Sequence, residues 1–318
     1  MDLSPFTNIS ICIKHIVEPV DDSLVFTLKN VVKLLSARGH HLLIEPQSAH
    51  LLPEYNFEVV SLENIADKAD LILVIGGDGS LLNTARATIN KNVPILGLNR
   101  GRLGFLTDVG PEDLHSQLIP ILEGKYQEEL RSLLTVNVFR HRAPFAASLG
   151  LNDVVLHSGG VGRMIEFEVF IDAVYVFRQR ADGIITATPT GSTAYALSSG
   201  GPILYPTLNA FVLVPMCAHT LSSRPIVIDK KSIIELKVAE SNAISSKLSI
   251  DGQIHVDILP GDSITITQHD NELRLIHPID HDFFSVLREK LGWSTDLTSN
   301  RWSSPLQEQS HAKPPANP

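Results

Sequence analysis

Residues 71–89 read LILVIGGDGSLLNTARATI: an apolar run, a glycine-rich turn carrying one carboxylate, then a segment of helical character. An apolar run without polar alternation suits a strand buried on both faces, and the glycines mark the turn from which a helix leaves. Similar runs recur on either side. ISICIKH (9–15), HHLLIE (40–45) and PILGLN (94–99) read as strands, and between the first two Leu24, Leu28, Val31 and Leu35 lie on one helical stripe that Gly39 stops. A further helix is expected from Ser80 to Ile89. Short apolar strands separated by helices predict a Rossmann-like parallel sheet covered on both faces, an α/β domain over residues 1–125.

Beyond that point the rhythm changes. MIEFEVFIDAVYV (164–176) alternates, with Ile165, Phe167, Val169 and Ile171 on one face and Glu166, Glu168 and Asp172 on the other. RPIVID, SIIELKVA, KLSIDG and SITITQ are short, rich in β-branched residues and bounded by Gly, Pro, Asp or Ser, the texture of an all-β sandwich. That domain is expected over residues 126–277. DFFSVLREKLGW then reads as a helix, and residues 278–294 are expected to return to the α/β domain. From residue 295 the tail is polar and proline-bearing, and disorder is expected there.

The 318 residues allow about two domains, each able to bury a core. Mean hydropathy is only +0.10, and no apolar run approaches the roughly 18 residues of a bilayer span. The start of the chain lacks the pattern of a secretory signal, so a cytoplasmic protein is expected. Cys12 and Cys217 are far apart, which excludes a disulfide framework and a cysteine zinc site; both are expected to be buried. The net charge of −9 argues against a broad nucleic-acid surface, so any anionic ligand must be held locally. The 13 histidines show no helical metal spacing.

In the glycine loop, Gly76, Gly77 and Gly79 permit positive φ and close approach of a ligand to the backbone, and Ser80 can cap the helix. Helix N-terminal amides at the carboxyl end of such a sheet suit an oxygen-rich anion. The loop is neither a Walker A motif nor GxGxxG. Asp78 within it has three readings: proton acceptor for a hydroxyl attacking phosphorus, ligand of a Mg²⁺ that neutralises phosphates, or an ordinary Asp-Gly turn former. A second cluster, DGIITATPTGSTAYALSSGGP (182–202), concentrates hydroxyls among small residues, and no Lys or Arg occurs from Ala181 to Ser223. It reads either as a Ser/Thr-rich turn or as a site that recognises adenine edges and ribose hydroxyls through hydroxyl and backbone groups.

At these residues the sequence resembles the NAD kinases. GGDG (76–79), NRGRLGFL (99–106), LNDVVLH (151–157), DGIITATPTGSTAYALSSGGPI (182–203), PMCAHTLSSRPIVI (215–228) and DGQ (251–253) follow the family's order, over residues 9–292. GGDG alone also fits lipid kinases and phosphofructokinases. The resemblance implies ATP-dependent phosphorylation of the 2′-hydroxyl of the adenosine ribose of NAD, giving NADP, with a divalent metal, Mg²⁺ by preference. It implies Asp78 as proton acceptor and a dinucleotide held by Asp78, Gly79, Asn152, Asp153, Arg163, Arg180, Asp182, Thr193, Ala194, Tyr195, Ala196, Leu197, Ser198 and Gln253. Arg180 goes with preference for ATP over polyphosphate. The metal's ligands stay unassigned. Assembly as a homodimer or homotetramer is also implied.

Overall fold

In the computed structural model, residues 5–13, 21–101, 103–160, 164–242 and 245–293 are described. The described residues up to His281 form one compact unit, and those from Asp282 to Trp293 belong to another.

The first unit opens with the expected α/β sheet. Its strands lie in the order Glu58–Val59, His41–Ile44, Asn8–Ile13, Leu71–Ile75, Ile95–Leu98, Leu273–Pro278 and Tyr126–Arg131. All neighbours are parallel except the last pair. The strand Leu71–Ile75 shows why its apolar run is unbroken. Leu71, Leu73 and Ile75 face the core built with Leu24, Leu28, Val31 and Leu35 of the helix Asp22–Ala37, while Ile72 and Val74 face Leu81, Leu82 and Ala85 of the helix Asp78–Thr88. The strand order reverses between Asn8–Ile13 and Leu71–Ile75, and the glycine loop leaves the carboxyl end of the second, where ligands bind in open α/β sheets.

Two strands of this sheet come from the range expected for the β domain. Tyr126–Arg131 closes one edge, and Leu273–Pro278 returns to fill the gap beside Ile95–Leu98. The chain thus returns as a strand before residue 278. Leu273, Leu275 and Ile276 are buried on the two faces of the sheet, a load that a surface segment would not need.

Between those strands lie two six-stranded antiparallel sheets packed face to face. Val154 and Leu156 of Asp153–His157, with Ile184, Phe211 and Leu213, meet Ile165, Phe167 and Val169 in the shared core. Residues 164–176, read as an alternating segment, span a hairpin: Ile165–Ile171 and Val174–Ala181 are joined by Asp172 (φ 51°) and Ala173 (φ 63°). Two consecutive positive φ values make a type I′ connection, which Asp-Ala does not announce as Asp-Gly would. The outer face of the sheet containing Gly183–Ala187 is covered by Ala196 and Leu204, packed on Val155, Ile185, Val212 and Val214. Cys12 is buried as expected, whereas Cys217 is exposed with φ 45°, just past the strand Ala210–Met216.

The second unit contains the expected helix, Phe283–Leu291. Its N-cap Asp282 accepts from the N–H groups of Phe284 and Ser285, and Gly292 ends it at φ 67°. The tail from residue 294 lies outside the described residues.

Candidate active site

The helix after the glycine loop starts at Asp78, with Gly77 as N-cap in an extended conformation (φ −103°, ψ −177°). None of Gly76, Gly77 and Gly79 has positive φ, and Ser80 does not cap; its buried hydroxyl finds no hydrogen-bond partner. What Gly77 and Gly79 supply is room. A Cβ on Gly77 would meet nothing within 4 Å, and one on Gly79 only the Gln253 side chain at 3.4 Å.

Asp78 turns its carboxylate onto the NRGRLGFL segment. Oδ2 accepts the Phe105 N–H at 3.1 Å and Oδ1 the Leu106 N–H at 3.1 Å. Asn99 shapes that segment: its Oδ1 accepts from Gly101 N at 2.8 Å and its Nδ2 donates to Thr107 O at 3.2 Å. The approach is so close that a Cβ on Gly104 would lie 2.3 Å from Asp78 Oδ1, and one on Gly97 2.3 Å from Leu106 O. Two amides therefore satisfy part of the carboxylate and fix its direction. A carboxylate offers about four lone-pair sites, so capacity remains for a hydroxyl or a cation.

A second tie holds the loop's other flank. Asp251 (φ 52°), in the turn between Ser246–Ile250 and Ile254–Ile258, has a fully buried side chain. It accepts from the N–H groups of Leu151 (3.0 Å), Asn152 (2.7 Å) and Asp153 (3.2 Å), and from Arg86 Nη1 at 2.6 Å. Arg86 also bonds Gln253 Oε1, and Gln253 Nε2 donates to Gly79 O at 2.8 Å. The α/β helix, the glycine loop and the Asn152-Asp153 turn are thereby one connected assembly. Arg86 and Asp251 were not singled out as site residues by sequence. Arg86 sits among ordinary helix residues, and Asp251 entered only as the first residue of the DGQ motif.

Asn152, Asp153, His157, Asp182, Tyr195 and Asp251 line part of a cavity of about 730 Å³. Asp153 is buried, and burial first, then the Asp251 charge, pushes its carboxyl up to about 7 against a stabilising Tyr195 backbone N–H. Within the hydroxyl-rich block, several hydroxyls serve the turn reading. Thr188 Oγ1 donates to Leu151 O (2.6 Å) and accepts from Gly191 N (3.1 Å). Ser192 Oγ donates to Pro189 O (2.6 Å) and accepts from Leu204 N (2.9 Å), while Thr193 Oγ1 donates to Thr190 O (3.1 Å). These hydroxyls replace missing backbone partners in a tight turn, a local use at which Ser and Thr excel.

Of the remaining expected contacts, Tyr195 and Ser198 are exposed, Thr193, Ala194 and Leu197 are half-buried, and Ala196 is buried in the apolar cover. Arg180 is exposed on Val174–Ala181 and does not line this cavity. Arg163 lies outside the described residues. A second cavity, of about 700 Å³, opens at the carboxyl ends of the sheet strands, lined by Ile13, Glu45, Glu63, Gly79, Asn83 and Gln253 among others. Among the described residues, Asp108, His277 and His281 group donor atoms within 4.8 Å of one another.

Comparison with known proteins gives a consistent answer. The ATP-NAD kinase N-terminal domain matches residues 13–126, and the ATP-NAD kinase C-terminal domain matches residues 151–278. The NAD kinase of Marinobacter nauticus is 49% identical over 277 residues, covering 87% of this chain and 94% of its own. That of Hahella chejuensis is 50% identical over 272 residues, covering 86% and 92%. Among solved structures, a yeast NADH kinase complexed with NADH superposes with a TM-score of 0.83 at 25% identity, covering 93% of this chain and 91% of its own. An NAD kinase from Archaeoglobus fulgidus in complex with ATP gives 0.67 at 26% identity, covering 90% and 97%. No described helix is long and apolar enough to cross a membrane. With a glycine-loop carboxylate at the sheet's switch point and both domains matched along most of their length, the chain belongs to the ATP-NAD kinase family.

Proposed function

We propose that this NAD kinase makes NADP by using Asp78 to take the proton from the 2′-hydroxyl of the adenosine ribose of NAD. As the O–H bond breaks, the oxygen attacks the terminal phosphorus of ATP, the new P–O bond forms, and ADP leaves with the electrons of the old one. The observation that carries this reading is the Asp78 carboxylate, aimed by the Phe105 and Leu106 amides beside glycines that leave open space.

The dinucleotide contacts are assigned to Gly79, Asn152, Asp153, Arg180, Asp182 and the segment Thr193 to Ser198. The cavity lined by Asn152, Asp153, Asp182 and Tyr195 supports the assignment. Gln253 acts here by holding Gly79, a role supported by its bond to that carbonyl. A neutral Asp153 carboxyl, favoured below about pH 7, both donates and accepts, as ribose hydroxyls require.

Mg²⁺ takes oxygen ligands and keeps several waters. The carboxylates of Asp78 and of Glu45, which lines the neighbouring cavity, fit that preference. The Asp108, His277 and His281 group, with imidazole nitrogens already turned on Asp108, fits it poorly. When bound, the metal supplies neutralisation of phosphate charge. Cytoplasmic residence and homo-oligomeric assembly belong to the same reading.

The test is incubation of the purified protein with NAD, ATP and Mg²⁺ and enzymatic measurement of NADP. Tight dinucleotide binding with no NADP across several metals and donors would leave a silent binding protein instead.

A further inference from the structure

The amides that aim Asp78 sit on a segment whose own position needs an explanation. Asn99 and the bond from Asn99 N to Val109 O (2.9 Å) tie one side of it. The other side is held by Asp108, the residue directly after Thr107. Asp108 Oδ2 forms a hydrogen bond with His277 Nδ1, and His281 Nδ1 lies 3.4 Å from the same oxygen. The His277 side chain is fully buried, that of Asp108 is 8% exposed, and the two imidazoles stack at 4.0 Å.

His277 belongs to the returning strand Leu273–Pro278, whose Leu275 and Ile276 pair with Ile95 and Leu96. A buried carboxylate is strongly disfavoured without a donor, so Asp108 is confined to the place where His277 meets it. Glu129 Oε2, 3.7 Å from His277 Nε2, and Arg131, bonded to Glu129, complete the charged surroundings. Phe105 and Leu106 lie three and two residues before this anchor.

We infer that His277 and Asp108 are positioning residues of the phosphoryl-transfer site: through their hydrogen bond the returning strand sets the Phe105 and Leu106 amides on Asp78. The inference rests on Asp78 acting as proposed. It separates a hydrogen-bonding role from mere filling of space. His277→Asn keeps a donor near Nδ1 with less bulk, and His277→Phe keeps the ring without the donor. Asp108→Asn keeps an acceptor, and Asp108→Leu keeps the volume without it.

Two readouts are taken on all four variants of the full chain. A misplacement of about 1 Å costs up to about 10²-fold, so kcat in His277→Phe and Asp108→Leu is expected to fall about 10- to 100-fold with KM for NAD little changed. His277→Asn and Asp108→Asn stay within about 5-fold of the parent kcat, because the hydrogen bond survives. In parallel, hydrogen exchange followed by mass spectrometry reads residues 104–107, and exchange accelerates only in the Phe and Leu variants. If the parent makes no NADP the kinase reading falls, and the exchange data still decide the positioning role. Retained kcat and unchanged exchange in the Phe and Leu variants, or greater losses in the two Asn variants, would overturn it. Should His277→Phe fail to fold, the pair Asp108→Asn and Asp108→Leu decides alone.

Discussion

A carboxylate in the first turn of a helix gains from the unpaired N–H groups there, and Asp78 gains two more from Phe105 and Leu106. Those donors orient it without consuming it. Asp78→Asn places an amide N–H against one of these N–H groups and removes the proposed proton acceptor. Its kcat is expected to drop at least about 10²-fold, with NAD binding, followed by calorimetry, largely kept. Full turnover in that variant would remove Asp78 from the reaction. Asp153 behaves differently, because its folded carboxyl is raised to about 7 from an ordinary 3.8. A raised carboxyl binds its proton more tightly folded than unfolded. Stability is thus lost as pH climbs from about 4 through 7 and stays lost above. Asp153→Asn should unfold at higher urea than the parent at pH 8, by at most about 4 kcal/mol, with the gain fading toward pH 4. An equal gain at both pH values would argue against a protonated Asp153.

The elements around the site owe their placement to glycines and to one ion pair. Gly104 has no space for a methyl group, since its Cβ would lie 2.3 Å from both Asp78 Oδ1 and Thr107 Oγ1. Gly104→Ala should cost about 1–3 kcal/mol of stability in urea melts and reduce kcat by pushing the amides off Asp78. A stable, active variant would show that the segment yields freely. Arg86→Leu leaves Asp251 buried without its cation, and removal of one partner of a buried pair costs about 3–5 kcal/mol. The lower end is expected here, because three backbone N–H groups stay on Asp251. Sequence reached the parallel strands and the helix Asp22–Ala37, since apolar runs and an i, i+4 stripe record burial directly. It also directed attention to Asp78, from the glycines beside it. It missed the clamp because Phe105 and Leu106 act through backbone groups, which carry no residue signature. Arg86 and Asp251 stayed hidden because their meeting depends on the packing of a helix against a distant hairpin turn. In the hydroxyl block, Thr188 and Ser192 follow the turn reading, since their hydroxyls bond within the local turn, and sequence left that reading open beside the ligand-site one.

The chain enters the β-sandwich from the α/β sheet and comes back to complete that sheet with Leu273–Pro278. Neither the sequence boundary near residue 125 nor the match ending at residue 126 therefore delimits a free-standing folding unit. Without Tyr126–Arg131 and Leu273–Pro278, the strand Ile95–Leu98 would expose an apolar edge, a known invitation to aggregate. Arg86 to Asp251 and Gln253 to Gly79 bind the sandwich to the helix as well. Urea unfolding followed by far-UV circular dichroism and by limited proteolysis within the sandwich should give one coincident transition. Two transitions separated beyond the error of their midpoints would show that the returning strand does not couple the layers. Saturating NAD supplies a sharper version of the same test. A ligand at 100 times its Kd adds about 2.7 kcal/mol to every region that must be folded to bind it. If the sheet and sandwich form one cooperative body, cleavage sites in both should gain protection together, even though Asn152 and Asp153 sit at the sandwich and Asp78 at the sheet.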